Sequence, residues 1–311
     1  MRPAHLLLLI VMNAFWAGTY SAFKALAPHL NPGGLATVRY SLAALLLACA
    51  WPWLRGQAPQ GWDLPRAAAM GVIVFCMAPR LQVAGVQMGQ ATDASVLMAL
   101  EPLVTSIAAA VFLRERIGPR RWAGFALGMT GVVVMAEVWR PGFQLPGLWA
   151  NLLFLGSFVC EAAYSVMGKP LLGRVGLGKL VVVALAAGTV ANVVLDGPAA
   201  WRAAATLPAQ GWWVIAYLSV ICTVVGYMAW FVVIREAEVN VAVLTVFLQP
   251  VLGVAIAAVA LGERPHWGHL WGSLVILAGV ALGLSRQIRP VRGKREAVSR
   301  SAVEPADRSS S

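Results

Sequence analysis

The sequence predicts an all-α polytopic membrane protein of ten transmembrane helices, arranged as two inverted five-helix repeats. Three observations predict it. The 311-residue chain is 59% hydrophobic and only 12% charged, where a soluble domain is about half apolar and about a quarter charged. The apolar residues come in runs of about 20, the length at which a helix crosses hydrocarbon. One stretch of the first half recurs in the second at a fixed offset. Mean hydropathy is +0.74, and a soluble fold of this size could not cover so much apolar surface with polar groups.

The elements follow in order. Span 1, near 5–26, opens on MRPAHLLLLIVMNAF. A basic residue before an apolar run resembles a signal peptide, but many later runs of the same kind make it a first spanning helix. Asn31-Pro32-Gly33-Gly34 breaks the chain before span 2 (34–54), and Arg55-Gly56 before span 3 (67–88). Span 4 covers 92–113, Gly118-Pro119 precedes span 5 (121–139), and Pro141-Gly142 precedes span 6 (147–168). Span 7 (177–195) stops at Asp196-Gly197-Pro198, and spans 8, 9 and 10 follow at 212–234, 240–262 and 267–285. Barrel strands would be half as long and would alternate in polarity. Two units result, 5–139 and 147–285, with a basic tail, 286–311, whose polar composition predicts disorder.

Net charge is +11 and the isoelectric point about 10.3. Nucleic acid is not the implied partner, because Lys and Arg collect in short gaps and in the tail rather than lining a soluble face. With the N-terminus in the cytoplasm, most of the 24 Lys and Arg fall inside, so both termini are expected there. Arg39 and Arg80 fall within spans. Cys49, Cys76, Cys160 and Cys222 each lie in an apolar run without metal-ligand spacing and read as small hydrophobes.

The repeat is LEPLVTSIAAAVFLRER, from Leu100, and LQPVLGVAIAAVALGER, from Leu248. A constant offset of 148 carries Glu101 onto Gln249, Pro102 onto Pro250, Glu115 onto Glu263, Arg116 onto Arg264, Gly124 onto Gly272 and Gly131 onto Gly279. Five spans per repeat is an odd number, so the halves are inverted, the build of many secondary transporters.

These residues resemble a known family. The [Glu/Gln]-Pro, Leu-x-Glu-Arg and Gly-x6-Gly pattern occurs twice, with Asn13-Ala-Phe-Trp-Ala-Gly in span 1 and Arg39-Tyr-Ser-Leu-Ala-Ala in span 2. Together they are similar to the EamA family of the drug/metabolite transporter superfamily, over roughly 5–285. The resemblance implies export of small metabolites or drugs by ten helices in two repeats. It leaves the substrate open, and Gln249 stands where an acid is more usual.

Several residues are candidates for substrate binding. Asn13, Trp16 and Tyr20 share one face of span 1 at spacings of three and four. Tyr164 on span 6, with Tyr227 and Trp230 on span 8, adds aromatic surface of the kind that lines small-molecule cavities. The alternative is the aromatic belt at the membrane surface, to which Trp51, Trp53, Trp139, Trp149, Trp212 and Trp213 are assigned. Glu101 either lines the substrate path or lies near enough to the end of span 4 to reach water; facing hydrocarbon would cost several kcal/mol. Arg80, mid-span beside Pro79, either offers a cation to an anionic substrate or forms a buried pair with Glu101 or Glu161. Gln249 completes the set. Pro102 and Pro250 either open a kink or hinge beside the cavity or make packing bends. Gly124 and Gly128, with Gly279 and Gly283, form small-xxx-small faces for packing within a monomer or across a homodimer. Glu115-Arg116 and Glu263-Arg264 are expected to satisfy helix ends.

No phosphate-cradling loop, nucleophile elbow or His/Cys cluster is present in the sequence, so neither an enzyme nor a cofactor is expected. The expected function is secondary transport of an amino-acid-like or drug-like molecule across a bacterial inner membrane. The rivals are a carrier of anionic metabolites using Arg80 and a flippase of lipid-linked substrates.

Overall fold

A computed structural model describes residues 2–88, 99–141, 147–260 and 266–285. Among them every regular element is helical. Eight helices are long and apolar enough to cross a membrane: Pro3–Leu26, Pro32–Cys49, Asp63–Gly85, Leu148–Leu171, Leu177–Ala205, Ala209–Glu236, Val239–Ile256 and Trp267–Leu284. Leu100–Phe112 is apolar but shorter, and Pro119–Met135 has 17 residues. The first part of expected span 4, the Glu263-Arg264 pair and the tail from 286 lie outside the described residues.

We label the helices α1 (Pro3–Ala17), α2 (Thr19–Leu26), α3 (Pro32–Cys49), α4 (Asp63–Val72), α5 (Ala78–Met88), α6 (Leu100–Phe112) and α7 (Pro119–Met135). The second half holds α8 (Leu148–Leu171), α9 (Leu177–Ala205), α10 (Ala209–Ala216), α11 (Gly226–Glu236), α12 (Val239–Ala242), α13 (Leu248–Ala260) and α14 (Trp267–Leu284). Prolines stand in the first turns of α1, α3 and α7, where a missing N–H costs nothing because that donor has no helical partner. The Asn31 side chain accepts from Gly34 N and caps α3.

The expected break at Asp196-Gly197-Pro198 is corrected: α9 runs through it for 29 residues, with Pro198 inside. A proline removes a single hydrogen bond. Around it Gly197, Ala200 and Ala204 are buried against neighbours, and Arg202 Nε returns a bond to the Pro198 carbonyl. α8 likewise passes through Pro170.

Helix packing repeats between the halves. α1 packs on α13 as α8 packs on α6, and α5 packs on α8 as α11 packs on α1. α3 meets α9, and α7 meets α14. The last seam is built on backbone. A Cβ on Gly131 would come within 2.7 Å of the Gly272 carbonyl, and one on Gly124 within 2.9 Å of the Gly279 carbonyl. The small-residue faces therefore meet each other inside one chain, the first of the two readings given to them.

Each half also contains a π-helical stretch, Ile73–Met77 and Tyr217–Val225, and the offset of 148 carries the first into the second. A π turn leaves carbonyls without helical donors, and in lipid these need a partner from the protein. Asn192 Nδ2 donates to Phe75 O at 2.8 Å, and Trp16 Nε1 to Cys222 O at 2.9 Å.

At one end of the bundle Glu115 ties the halves together. Its carboxylate accepts from Val239 N (2.9 Å), Asn240 N (3.1 Å) and Asn240 Nδ2 (2.9 Å), and from Lys169 Nζ at 2.7 Å. Arg121 pairs with Glu238 beside it. The helix end that Glu115 satisfies is thus the start of α12, far from its own loop. Of the tryptophans expected at the membrane surface, Trp53, Trp139, Trp149, Trp212 and Trp213 are exposed.

Candidate functional site

Both halves contribute to a central cavity. α1 supplies Trp16, α3 supplies Arg39 and Tyr40, and α6 and α8 supply Glu101 and Glu161. Tyr227 opens α11, and Gln249 lies in the first turn of α13. The cavity has an empty volume of about 500 Å³, its mouth included. An adjoining pocket shares Trp16, Glu101, Glu161 and Tyr227 and reaches Tyr164, Ser165 and Trp230.

Hydrogen bonds lock the aromatic walls. Tyr227 OH donates to Glu161 Oε2 at 3.3 Å, Tyr164 OH to Tyr227 O at 3.0 Å, and Trp230 Nε1 to Ser165 Oγ at 2.9 Å. Trp16 lies edge-on to Tyr227 with ring centroids 5.9 Å apart. Phe75 and Tyr164 each stand 4.9 Å from Tyr227 in the same edge-on manner. Such rings combine large contact area with few rotatable bonds, so a wall built of them keeps its shape.

Asn13 is fully buried one turn before Trp16. It donates to Leu9 O at 2.8 Å and to Thr245 Oγ1 at 3.1 Å, and accepts from Gln249 Nε2 at 3.1 Å. It therefore supports the wall by holding Gln249. The Tyr20 side chain lies outside what is described. Pro102 and Pro250 each sit third in their helix, at α6 and α13. The backbone departure near Pro250 comes one turn earlier, where Val243–Phe247 is a 3-10 helix. That segment walls the adjoining pocket through Val243 and Val246.

Arg80 departs from expectation. Its partner is neither Glu101 nor Glu161: it forms an ion pair with Asp196, and its Nε donates to Asn192 Oδ1 at 3.0 Å. Asn192 and Asp196 are one turn apart on α9 and face α5 together. Sequence reading ended span 7 just before Asp196 and so lost the partner. Arg80 is not among the residues lining either cavity.

The cavity arginine is Arg39, which sequence reading noted within a span and did not weigh as a site residue. It is only 5% exposed. Its Nε donates to Thr223 Oγ1 at 2.9 Å, its carbonyl accepts from Ser219 Oγ at 2.9 Å, and its guanidinium carbon stands 4.9 Å from the centroid of the Tyr40 ring. Thr223 and Ser219 both belong to the second π stretch, so a single backbone irregularity positions the arginine. The available signal was a second cationic side chain in the middle of an apolar run, a placement as costly as that of Arg80.

No group of three or more His, Cys, Asp or Glu side chains able to hold a metal converges among the described residues. The arrangement suits noncovalent binding: a partly apolar chamber, aromatic on several sides, with a guanidinium and two carboxyl groups inside.

Residues 4–136 and 148–285 each match the EamA-like transporter family. A relative from Streptantibioticus cattleyicolor named "Probable terminal-alkyne amino-acid exporter" is 28% identical over 274 residues, spanning 88% of this chain and 91% of its own length. The Escherichia coli "Probable amino-acid metabolite efflux pump" is 26% identical over 288 residues, spanning 89% and 93%. The "Uncharacterized inner membrane transporter YedA" of the same species is 26% identical over 292 residues, spanning 91% and 92%. A solved crystal structure superposes with a TM-score of 0.71 at 18% identity, spanning 93% of this chain and 100% of that one.

Proposed function

Because the chain belongs to the EamA-like transporter family, we propose that it exports small amino-acid-like or drug-like molecules by alternating access. In this reading ten transmembrane helices form two inverted five-helix repeats, units 5–139 and 147–285. Both termini lie on the cytoplasmic side of an inner membrane, and the protein acts as a secondary transporter.

The observation that carries the reading is the cavity. Helices of both halves wall it, and its polar residues, Arg39, Glu101, Glu161 and Gln249, are drawn from both. A chamber between two mutually inverted halves can open first to one side and then to the other as the halves rock. Relatives named as exporters support the direction. Trp16, Tyr164, Tyr227 and Trp230 form the apolar surface for substrate in this reading, Glu101 and Glu161 the acidic side, and Gln249 a neutral polar contact held by Asn13.

The test is solute counterflow in proteoliposomes holding the purified chain. Trp16→Ala should lower counterflow of an aromatic amino acid by about tenfold, the loss expected when a buried aromatic anchor is truncated. Unchanged flux in a well-folded Trp16→Ala protein would remove the cavity from the pathway.

A second reading, an anionic metabolite held by an arginine, is favoured by one observation: a buried guanidinium in the cavity wall. That arginine is Arg39 rather than Arg80, and flux of organic acids through an Arg39→Gln protein tests it.

A further inference from the structure

The offset of 148 relates more than the motif that reveals it. It carries Asn13 onto Glu161 and Trp16 onto Tyr164, just as it carries Glu101 onto Gln249. The four polar positions form two equivalent pairs around the cavity, and the pairs differ in chemistry.

In one pair Gln249 donates to Asn13 at 3.1 Å, and Asn13 donates onward to Leu9 O and Thr245 Oγ1. Amides carry both donors and acceptors, so the two members of this pair can bond each other. The equivalent pair, Glu101 and Glu161, consists of carboxylates, which accept hydrogen bonds and donate none when ionised. Tyr227 OH reaches Glu161, while Glu101 has no hydrogen bond or ion pair among the described residues. One half of the cavity thus bonds within itself, and the other leaves carboxyl oxygens open to a cationic donor.

Arg39 faces the same space and provides a second, independent observation. It is nine-tenths buried and lines the cavity. Of its guanidinium nitrogens only Nε is hydrogen-bonded among the described residues, and it forms no ion pair there, although Glu161 lies within electrostatic reach. A buried guanidinium with no ion pair, beside a carboxyl with no hydrogen bond, is a costly arrangement. A ligand bearing an ammonium and a carboxylate would satisfy both sides at once.

We propose that the cavity binds a zwitterion in one fixed direction. The ammonium lies at the Glu101–Glu161 pair, the carboxylate on the unbonded Nη edge of Arg39, and the apolar body against Trp16, Tyr227 and Trp230. The Asn13–Gln249 pair is the neutral half that fixes this direction. The inference rests on the cavity being the transport site proposed above.

Three probes sharing one ring test it: L-phenylalanine, phenethylamine and 3-phenylpropionate, each titrated onto the detergent-solubilised full chain by calorimetry. Phenylalanine should bind more tightly than either partial analogue. Glu101→Gln and Glu161→Gln should each weaken phenylalanine and phenethylamine by about tenfold, the scale of one lost charge-assisted hydrogen bond, and leave 3-phenylpropionate unchanged. Arg39→Gln should do the converse. If Arg39→Gln does not fold, Arg39→Lys, which keeps the charge and loses the planar fork, should weaken phenylalanine and 3-phenylpropionate while sparing phenethylamine. Equal weakening of all three probes by either Glu variant, or no binding of any probe to the native chain, overturns the assignment. The two readings fail separately. Probes that bind in this pattern but never exchange across liposomes sink transport alone. Solutes that exchange while none of the three probes binds sink the zwitterion site alone.

Discussion

At the residue scale, the contrast between the two buried arginines is the most informative. Arg80 and Arg39 look alike in sequence, each a lone cation within an apolar run. Arg80 is paired with Asp196 and bonded to Asn192, so its removal strands a partly buried carboxylate. We expect Arg80→Ala to lower stability by roughly 1–2 kcal/mol, below the 3–5 kcal/mol of a fully buried pair, because both side chains keep some contact with water. Arg80→Ala with Asp196→Ala together should recover much of the loss, read as the thermal midpoint in detergent. A purely structural pair predicts that the double variant still transports. Arg39 was legible as a residue but not as a site, since only folding shows which cation has an acid in contact and which faces a cavity. Glu161 and Tyr164 were legible as inward-facing candidates. Their equivalence to Asn13 and Trp16 was present in the offset of 148, but the motif that drew attention to it began only at Leu100.

At the element scale, eight helices long enough to span were legible from apolar run length, and their interruptions were not. Gly-Pro in α9 read as a stop because proline ends helices in water. In lipid the free backbone groups have no water to bond, so the helix persists wherever neighbours accept the bend. The π stretches left no composition signal at all: Ile73–Met77 and Tyr217–Val225 read as ordinary apolar runs. The glycine seam was legible, because small residues at a spacing of four predict close approach. Placing a methyl group at Gly131 would press on the Gly272 carbonyl and the Ile276 backbone. Gly131→Ala should therefore destabilise by about 1–3 kcal/mol, the range for overpacking a tight contact. Gly61→Ala provides a contrast: nothing lies within 4 Å of its Cβ position, but its φ of +53° limits its cost to the backbone term of about 1 kcal/mol. Thermal midpoints of the two variants measured side by side check both values.

At the scale of the whole molecule, the proposed inversion makes a directional prediction. Epitope tags after Arg116 and after Arg264 should be reached from opposite sides of intact cells. Access from one side would end the alternating-access reading. The internal repeat made the two-part plan legible, because an ungapped match over tens of residues has no explanation in composition. How the halves interlock was not legible. Glu115, in the loop that follows α6, bonds the first amides of α12 in the other half. During synthesis those amides emerge long after Glu115 has been made, so the second half matures on a surface the first half has already prepared. Expressed as two separate polypeptides cut at about residue 143, the fragments should reconstitute a working pair. The second fragment made alone, with no carboxylate to receive the N–H groups that open α12, should be cleared by membrane proteases.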